Sequence, residues 1–288
     1  TGEPVRWGLP LKKYVSGHNL RDLWIGAEGT LGVIPRATLK LIPKPAPRTT
    51  FLAAYADEGK ALRTVKAILK ERLQPAICEF LDRQTVSCFL KKHAAAGTLK
   101  ILPFRIENIN TPPSVLLLEL DGDAGQVRRL QREAKALLSD KALWLKHART
   151  PEEAEALWHI RRTSSQAMFQ LGDTKLNEDI VVPLEAQRSL LRYTLELKRK
   201  TGLATPTFGH AADGNFHIHV MFNWDDAEQR AQAKETIDLM MRRVVELGGA
   251  ITGEHGIGLA KSPYLRLQHS EAEIAAMLAI KDALDPNG

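Results

Sequence analysis

The pattern that most constrains the fold is an order of strand, helix and strand that occurs twice in the first half of the chain. The first copy comprises "TTFLAAYA" (49–56), a helix over 57–72 and a strand around "AICEFLD" (76–82). The second comprises "VLLLELDG" (115–122), the charged helix "AGQVRRLQREAKALLSD" and the strand "ALWLKHA". Such units favour an α+β protein in which helices cover one face of an antiparallel sheet. We therefore predict a ferredoxin-like fold.

The second half adds further helices and strands. "PEEAEALWHIRRTSSQAMFQ" has Pro151 at the first helical position and acidic residues in the first turn, which favour a helix start. "KLNEDIVVP" is typical of a strand, and Gly202 ends the amphipathic helix "LEAQRSLLRYTLELKRKTG". After a strand pair come the helix "DDAEQRAQAKETIDLMMRRVVELGG" and a last helix over 270–284.

The first 47 residues differ from the rest. "LWIGAEGTLGVIPRATLKLI" (23–42) places a glycine-rich turn between two apolar runs with strand propensity, and "PKPAP" (43–47) follows as a stiff linker. This composition predicts a domain boundary at residue 47, with a second domain over 48–288. Both ends of the sequence are abrupt, so we expect a piece of a longer protein.

Composition limits the class of protein. With 288 residues, 44% of them hydrophobic, the chain is long enough to bury a large core. Its 40 basic and 34 acidic residues are spread along the chain, which argues against a nucleic-acid surface. Cys78 and Cys88 are too few for a disulfide framework, and no stretch approaches the roughly 18 apolar residues of a membrane span. We expect a soluble, cytoplasmic protein, or one held at a membrane through partner subunits.

The segment "GHAADGNFHIHV" (209–220) concentrates three histidines. On one continuous strand, His210 and His217 would point to opposite faces. Asp213 and Gly214 form a strong turn signal, which predicts a hairpin with about four loop residues. His210 then lies opposite Asn215 and diagonal to His217 on the same face, at a separation of about 5.5–8 Å that one cation can bridge.

A third metal ligand is available in "TGEHGIG" (252–258), where Glu254 and His255 stand between glycines. Two imidazoles and one carboxylate form an open site for a borderline divalent ion such as zinc. The simpler alternative is that His217 and His219 alternate along a half-exposed strand while Glu254 caps a turn. For an isolated His-x-His we would prefer that alternative. The additional Glu-His pair between glycines favours the metal site.

Four blocks resemble the FAD-linked oxidases of the vanillyl-alcohol-oxidase type, in the branch with D-lactate dehydrogenase, D-2-hydroxyglutarate dehydrogenase and the glycolate oxidase flavin subunit. They are "SGHNLRDLWIGAEGTLGVIPRATLKLIPKP", "LWHIRR" with "NEDIVVP", "GHAADGNFH" and "GGAITGEHGIGLAK". The resemblance implies the last strands of an FAD-binding domain in residues 1–47 and a substrate-binding cap domain in 48–288. The glycine-rich loop that binds the FAD pyrophosphate in this family has no counterpart before residue 16.

The same resemblance implies the activity: oxidation of a D-2-hydroxy acid of the lactate, glycolate or 2-hydroxyglutarate type, with FAD as cofactor. It also implies that His210, His217 and Glu254 bind a divalent metal, zinc in the first place, with manganese or iron as alternatives. His255 is implied to be the catalytic base near the flavin N5. A metal-chelated 2-hydroxy acid suits this chemistry, because the ion lowers the pKa of the hydroxyl that the base deprotonates.

Further residues are implied to contact substrate and flavin. Arg161 is implied to bind the substrate carboxylate, with Lys175 and His219 as further substrate contacts; His219 stands where an asparagine is common in the family. The residues implied to contact FAD are Gly26, Glu28, Gly29, Thr30, Gly32 and Asn215. On position alone, Arg161 is equally typical of a solvated charge on an amphipathic helix.

Two other classes of function stay open at this point. A zinc-dependent hydrolase would use the same two histidines and glutamate to activate water. A non-catalytic, metal-binding module would fold and bind metal without flavin. The sequence does not specify the hydroxy acid, the electron acceptor, or whether the partners are a second copy or other subunits.

Overall fold

The computed structural model describes residues 2–43, 47–99 and 110–288. Its strands are β1 (Arg48–Tyr55), β2 (Ile77–Leu81), β3 (Ser114–Asp121), β4 (Trp144–His147), β5 (Thr174–Val181), β6 (Thr207–His210) and β7 (Asn215–Phe222). Its α-helices are α1 (Arg21–Trp24), α2 (Glu58–Lys70), α3 (Arg83–Ala95), α4 (Ala124–Ser139), α5 (Pro151–Ala167), α6 (Gln187–Thr201), α7 (Ala227–Glu246), α8 (Leu265–Gln268) and α9 (Glu271–Leu284).

The strands form one sheet in the order β4-β1-β3-β2-β6-β7-β5, and each ladder between them is antiparallel. Helix α2 links β1 to β2, and helix α4 links β3 to β4. The first four strands therefore form the predicted ferredoxin-like unit, and β6, β7 and β5 extend its sheet beyond β2. The predicted fold class, an antiparallel sheet covered by helices, is confirmed.

Helices pack on both faces of this sheet, whereas one covered face was expected. Leu52 and Ala54 of β1 belong to an apolar cluster with Val86 of α3 and Leu157 of α5. The next residue along β1, Tyr55, donates from its hydroxyl to the Leu138 carbonyl of α4 at 2.9 Å. Because successive strand residues point to opposite faces, α3 and α5 lie on the face opposite α4.

Helix α3 was not predicted from the sequence. It begins after Asp82, whose carboxylate accepts a hydrogen bond from the Thr85 amide at 2.7 Å. This N-cap follows the last residue of β2 directly, so the strand pattern and the helix start overlap in sequence. The helix matters for function because it helps to bury the part of the sheet beside the candidate site.

The expected strands in residues 23–42 are a wrong prediction. The described part of this segment contains the short helix α1 and turns, but no strand. Apolar side chains such as Val33 and Leu41 are exposed there. Strand propensity alone does not make a strand, because the backbone groups also need a partner strand to bond with.

The chain divides into two compact units, one formed by Pro45–Gly253 and a smaller one formed by Thr1–Lys44 together with Glu254–Gly288. The boundary between Lys44 and Pro45 falls at the predicted linker, residues 43–47. Residues 254–288 belong to the same unit as the N-terminal segment, which the sequence did not predict. Among the described residues, no helix combines the length and the apolar character that crossing a bilayer requires.

Candidate metal and substrate site

Strands β6 and β7 form the predicted hairpin, which brings two histidines together. Its loop is residues 211–214, closed by a hydrogen bond from the Asp213 amide to the His210 carbonyl at 3.0 Å. In its register His210 pairs with Asn215 and Phe208 pairs with His217. The His210 and His217 rings lie 5.6 Å apart between centroids, with an interplanar angle of 84°. The prediction that both imidazoles share one face is confirmed.

Two glycines make this hairpin possible. A Cβ on Gly209 would lie 2.3 Å from the Asn215 carbonyl oxygen, so only a residue without a side chain allows β7 to approach this closely. Gly214 has φ +79, and a Cβ there would lie 2.1 Å from the Val182 carbonyl oxygen. Backbone packing around these glycines therefore fixes the spacing between the two imidazoles.

His210 is held by a buried carboxylate that the sequence analysis did not identify. Glu79 of β2, 3% exposed, accepts a hydrogen bond from the His210 Nδ1 and another from the Arg161 Nε at 2.5 Å. Burial raises the pKa of Glu79, but the hydrogen bond from His210 and the charge of Arg161 outweigh burial and hold that pKa below its usual range. Glu79 is therefore an anion that links the histidine to the arginine.

A second buried carboxylate lies beside His217. Asp179 of β5 is fully buried, and its Oδ1 is 3.9 Å from the His217 Nδ1. It accepts hydrogen bonds from the Asn215 Nδ2 at 2.6 Å, the Gly253 amide at 2.8 Å and the Thr252 hydroxyl at 3.2 Å. Asp179 thus joins the hairpin to the chain segment that precedes Glu254.

The donor chemistry of the pair fits a divalent metal of the zinc type. Each imidazole has a carboxylate on the side of its Nδ1. A carboxylate hydrogen-bonded to Nδ1, as Glu79 is to His210, fixes the tautomer and orientation of a metal-binding histidine and raises the basicity of the coordinating Nε2, whereas Asp179 lies 3.9 Å from the His217 Nδ1. The hairpin pair thus offers two imidazoles at the spacing that the predicted metal site requires, and their role as ligands stays a prediction.

Arg161 and Lys175 reach the same face of the sheet. The Arg161 guanidinium lies 4.0 Å from the centre of the Phe208 ring, in a cation–π contact. The Lys175 Nζ donates to the Ser165 hydroxyl at 2.6 Å, and burial lowers the pKa of this lysine. Ser165 was not predicted; its position four residues after Arg161, on the same helix face, is the signal that could have identified it.

His219 is the most buried of the three histidines of the hairpin, at 1% exposure. Its ring lies 4.8 Å from the Phe208 ring between centroids. Burial, and then the charge of Lys175, lower the pKa of His219 to about 3. This side chain is therefore a neutral imidazole at physiological pH, able to donate or accept a hydrogen bond without carrying charge.

Among the residues predicted to contact FAD, the backbone at Gly26 and Gly29 is open on one side. Both have positive φ, +83 and +75, and a Cβ on either would meet no described atom within 4 Å. Glycines of this kind let backbone amides approach a ligand closely, which fits a group such as the flavin or its phosphates. Gly32 packs instead against the Trp24 ring, at 3.4 Å from its ideal Cβ position.

The polar residues of this segment make contacts within the smaller unit. Glu28 accepts hydrogen bonds from the Ile257 amide at 2.7 Å and the Gly258 amide at 2.8 Å, which lower the pKa of Glu28. Thr30 donates from its hydroxyl to the Ala27 carbonyl at 2.7 Å. The Glu28 carboxylate thereby fixes the glycine-rich loop that follows His255.

Glu254 and His255 open the second segment of the smaller unit. Both side chains are partly exposed, and the Glu254 Oε1 lies 3.9 Å from the His255 Nε2. The next residue, Gly256, has φ +83, and a Cβ there would lie 2.6 Å from the Glu28 carboxyl carbon. The roles of Glu254 as a ligand and His255 as a base stay predictions.

Comparison with known proteins gives a consistent result. The family model "FAD linked oxidases, C-terminal domain" matches residues 44–288. The chain is 35% identical over 286 residues to the glycolate oxidase subunit GlcD of Bacillus subtilis, covering 99% of this chain and 58% of that protein. It is 31% identical over 295 residues to the D-lactate dehydrogenase of Anaerostipes hadrus, covering 100% of this chain and 60% of that protein. The chain thus spans about three fifths of the length of these relatives.

Solved structures of low sequence identity share this fold. The 4-ethylphenol oxidase of Gulosibacter chungangensis superposes with a TM-score of 0.62 at 15% identity, over 87% of this chain and 54% of that one. p-Cresol methylhydroxylase superposes with a TM-score of 0.61 at 13% identity, over 85% of this chain and 52% of that one. These likenesses concern the fold alone and confirm the architecture that the resemblance implied.

Proposed function

This chain belongs to the C-terminal domain family of the FAD-linked oxidases, and on that premise we propose that it forms the substrate-binding part of a flavoprotein that oxidises a D-2-hydroxy acid to the 2-oxo acid. The observation that carries the proposal is the pair His210 and His217, which face each other beside the Arg161 guanidinium on one side of the sheet. The names of the two relatives, a glycolate oxidase subunit and a D-lactate dehydrogenase, support this substrate class.

Arg161 binds the substrate carboxylate in this proposal. Its Nε is held by Glu79, so its two terminal amino groups are the ones that would pair with a carboxylate in a bidentate manner. Lys175 supplies a second cation, which a larger acid with a second carboxylate would use. His219, neutral and buried, contributes a hydrogen bond to the substrate.

His210, His217 and Glu254 hold the metal in this proposal. Glu254 directly follows Gly253, whose amide donates to Asp179 beside His217. That chain connection supports Glu254 as the third ligand. Zinc suits two imidazoles and a carboxylate, and manganese or iron are the alternatives.

The residues proposed to hold FAD are Gly26, Glu28, Gly29, Thr30, Gly32 and Asn215. When bound, the metal would supply Lewis-acid polarisation of the substrate hydroxyl, and the flavin would supply the acceptor for the hydrogen on C2 together with its electron pair. His255 takes the hydroxyl proton on a ring nitrogen. Arg161 keeps the carboxylate in place, so that the C2 hydrogen has one orientation during the reaction.

The proposal also covers the electron acceptor and the subunits with which this chain assembles. One relative is named as a subunit, so we propose that other subunits pair with this chain and accept electrons from it. Cys78 and Cys88 are both free and buried, in keeping with the reducing, cytoplasmic location that the sequence predicts.

The test is anaerobic reduction of the flavin-loaded protein by D-lactate, glycolate and D-2-hydroxyglutarate, followed by flavin absorbance. His255→Asn should slow flavin reduction about 10²- to 10⁴-fold, because proton transfer is lost, while metal content stays at the wild-type level. His159→Asn, a change at an exposed histidine of α5, is the control and should reduce at the normal rate. Unchanged flavin reduction in His255→Asn would exclude the proposed base, and ester hydrolysis without flavin would favour the zinc hydrolase.

A further inference from the structure

Glu79 joins the two parts of the proposed site that come from different elements. It lies on β2, where it pairs with His210 of β6 in the antiparallel register. Its Oε1 accepts from the His210 Nδ1, and its Oε2 accepts from the Arg161 Nε of α5. The Glu79 side chain is 4% exposed, whereas those of Arg161 and His210 are 20% and 34% exposed. A buried, sheet-anchored carboxylate therefore holds two partly exposed side chains.

Each of these hydrogen bonds selects which atoms the partner presents. A carboxylate on Nδ1 keeps the His210 proton on that nitrogen, so the lone pair lies on Nε2, where a metal binds. A carboxylate on Nε fixes the guanidinium plane of Arg161, which Phe208 supports from one side at 4.0 Å. The terminal amino groups of Arg161 are thereby left to pair with an anion.

We infer that Glu79 is a positioning residue that sets the metal-binding histidine and the carboxylate-binding arginine at a fixed separation. The inference rests on the proposed function, because it assigns Glu79 to the same site. A 2-hydroxy acid carries its hydroxyl and carboxylate on adjacent carbons, so ligand and arginine must be spaced to within a fraction of an ångström for both groups to bind at once. One rigid carboxylate that contacts both side chains provides that spacing.

The chain offers a matched control in Glu119 of β3. Glu119 is 4% exposed and accepts from an arginine and two further donors: the Arg48 Nη1 at 2.8 Å, the Thr50 hydroxyl at 3.0 Å and the Trp158 Nε1 at 3.2 Å. It lies on the same sheet face but has no bond to His210 or Arg161 among the described contacts. Glu79→Gln and Glu119→Gln therefore remove equally buried charges, of which only the first belongs to the proposed site.

The experiment measures Zn²⁺ affinity by competition with a chromogenic chelator, and kcat and KM for D-lactate and glycolate, in the flavin-loaded wild type and both variants. Glutamine keeps one acceptor oxygen, so it can serve one partner but not both. We expect Glu79→Gln to weaken Zn²⁺ binding about 10- to 100-fold and to raise KM about tenfold or more. Glu119→Gln should lower the melting temperature but leave Zn²⁺ affinity and KM within about twofold of wild type.

The outcomes separate this inference from the function on which it rests. A wild type that binds Zn²⁺ and oxidises hydroxy acids, with Glu79→Gln equal to Glu119→Gln in affinity and KM, overturns the positioning role alone. A wild type that binds no metal and oxidises none of the acids overturns the proposed function instead. If Glu79→Gln does not fold, Glu79→Asp replaces it, with Glu119→Asp as its control. Aspartate keeps the charge but is one methylene shorter, so it cannot reach both partners, and its Zn²⁺ affinity should also fall.

Discussion

At the scale of single residues, the proposed chemistry depends on polar side chains that the sheet buries. Glu79, Asp179 and His219 are each at most 3% exposed. Buried polar groups are stable only when their hydrogen bonds are satisfied, and losing one partner costs about 1–3 kcal/mol. The two carboxylates meet this condition through donors from strands, from helix α5 and from the segment before Glu254.

His219 gives a prediction about pH. Its pKa is about 3 in the folded protein, against an ordinary value of 6.5. Between these values the unfolded chain binds a proton that the folded protein does not, so stability is complete above about pH 6.5 and falls as the pH falls. By about pH 5 the loss from this residue should be about 2 kcal/mol. His219→Asn should remove that part of the acid sensitivity.

The measurement is urea unfolding at about pH 7.5 and about pH 5, followed by tryptophan fluorescence. The control is His159→Asn, which changes an exposed histidine and should keep the wild-type dependence on pH. If His219→Asn lost as much stability as the wild type between the two pH values, His219 would not be the buried neutral group described above.

The sequence indicated the histidines of the site but not the residues that hold them. His210 and His217 lie seven positions apart, and a local turn signal was enough to place them on one face. Glu79 is 131 residues from His210, and Asp179 is 74 residues from Gly253. A single sequence carries no periodic signal for contacts at such separations, so these two carboxylates emerged only with the sheet order.

At the scale of secondary structure, the hairpin was predictable because two signals indicate the same structure. They are the turn residues and the alternation of strand side chains between the two faces of the sheet. Helix α3 and residues 23–42 show the opposite case. Asp82 starts α3 where a strand pattern ends, and the apolar runs after Gly26 have no partner strand within the described residues. Local propensity decides an element only where tertiary pairing does not override it.

Gly209 gives a prediction at this scale. Its replacement by alanine would place a Cβ 2.3 Å from the Asn215 carbonyl oxygen, which is rigid backbone. The strands must then separate, so we expect Gly209→Ala to cost about 1–3 kcal/mol of stability and to weaken Zn²⁺ binding by His210 and His217. Thermal unfolding and chelator competition measure the two effects.

Gly125→Ala is the matched control for that substitution. Gly125 lies in the first turn of α4, and its ideal Cβ position is 3.2 Å from a side-chain oxygen, Asp123 Oδ1. Alanine also favours the helical conformation over glycine. Stability and Zn²⁺ affinity should both stay close to wild type. Wild-type Zn²⁺ affinity in folded Gly209→Ala would mean that the hairpin spacing does not set the metal site.

At the scale of the whole molecule, two of the three proposed metal ligands lie in the larger compact unit, whereas Glu254 and most of the residues proposed to contact the flavin belong to the smaller one. The histidine pair and its two carboxylates belong to Pro45–Gly253. Apart from Asn215, the residues proposed to hold FAD belong to the smaller unit. Changes in one set should therefore affect one cofactor more than the other.

Gly29→Val tests this separation. Gly29 has φ +75 with open space around its ideal Cβ position; a β-branched residue is strained in that conformation and would also obstruct an approaching ligand. We expect Gly29→Val to lose most of its flavin absorbance, and to lose far less of its Zn²⁺ affinity, since two of the three proposed ligands, His210 and His217, lie in the other unit. His217→Ala should show the converse, normal flavin absorbance without metal.

Gly17→Val is the control for backbone strain, because Gly17 has φ +82 and equally open surroundings outside the proposed flavin segment. Equal loss of flavin from both glycine variants would show that strain, rather than a flavin contact at Gly29, causes the loss.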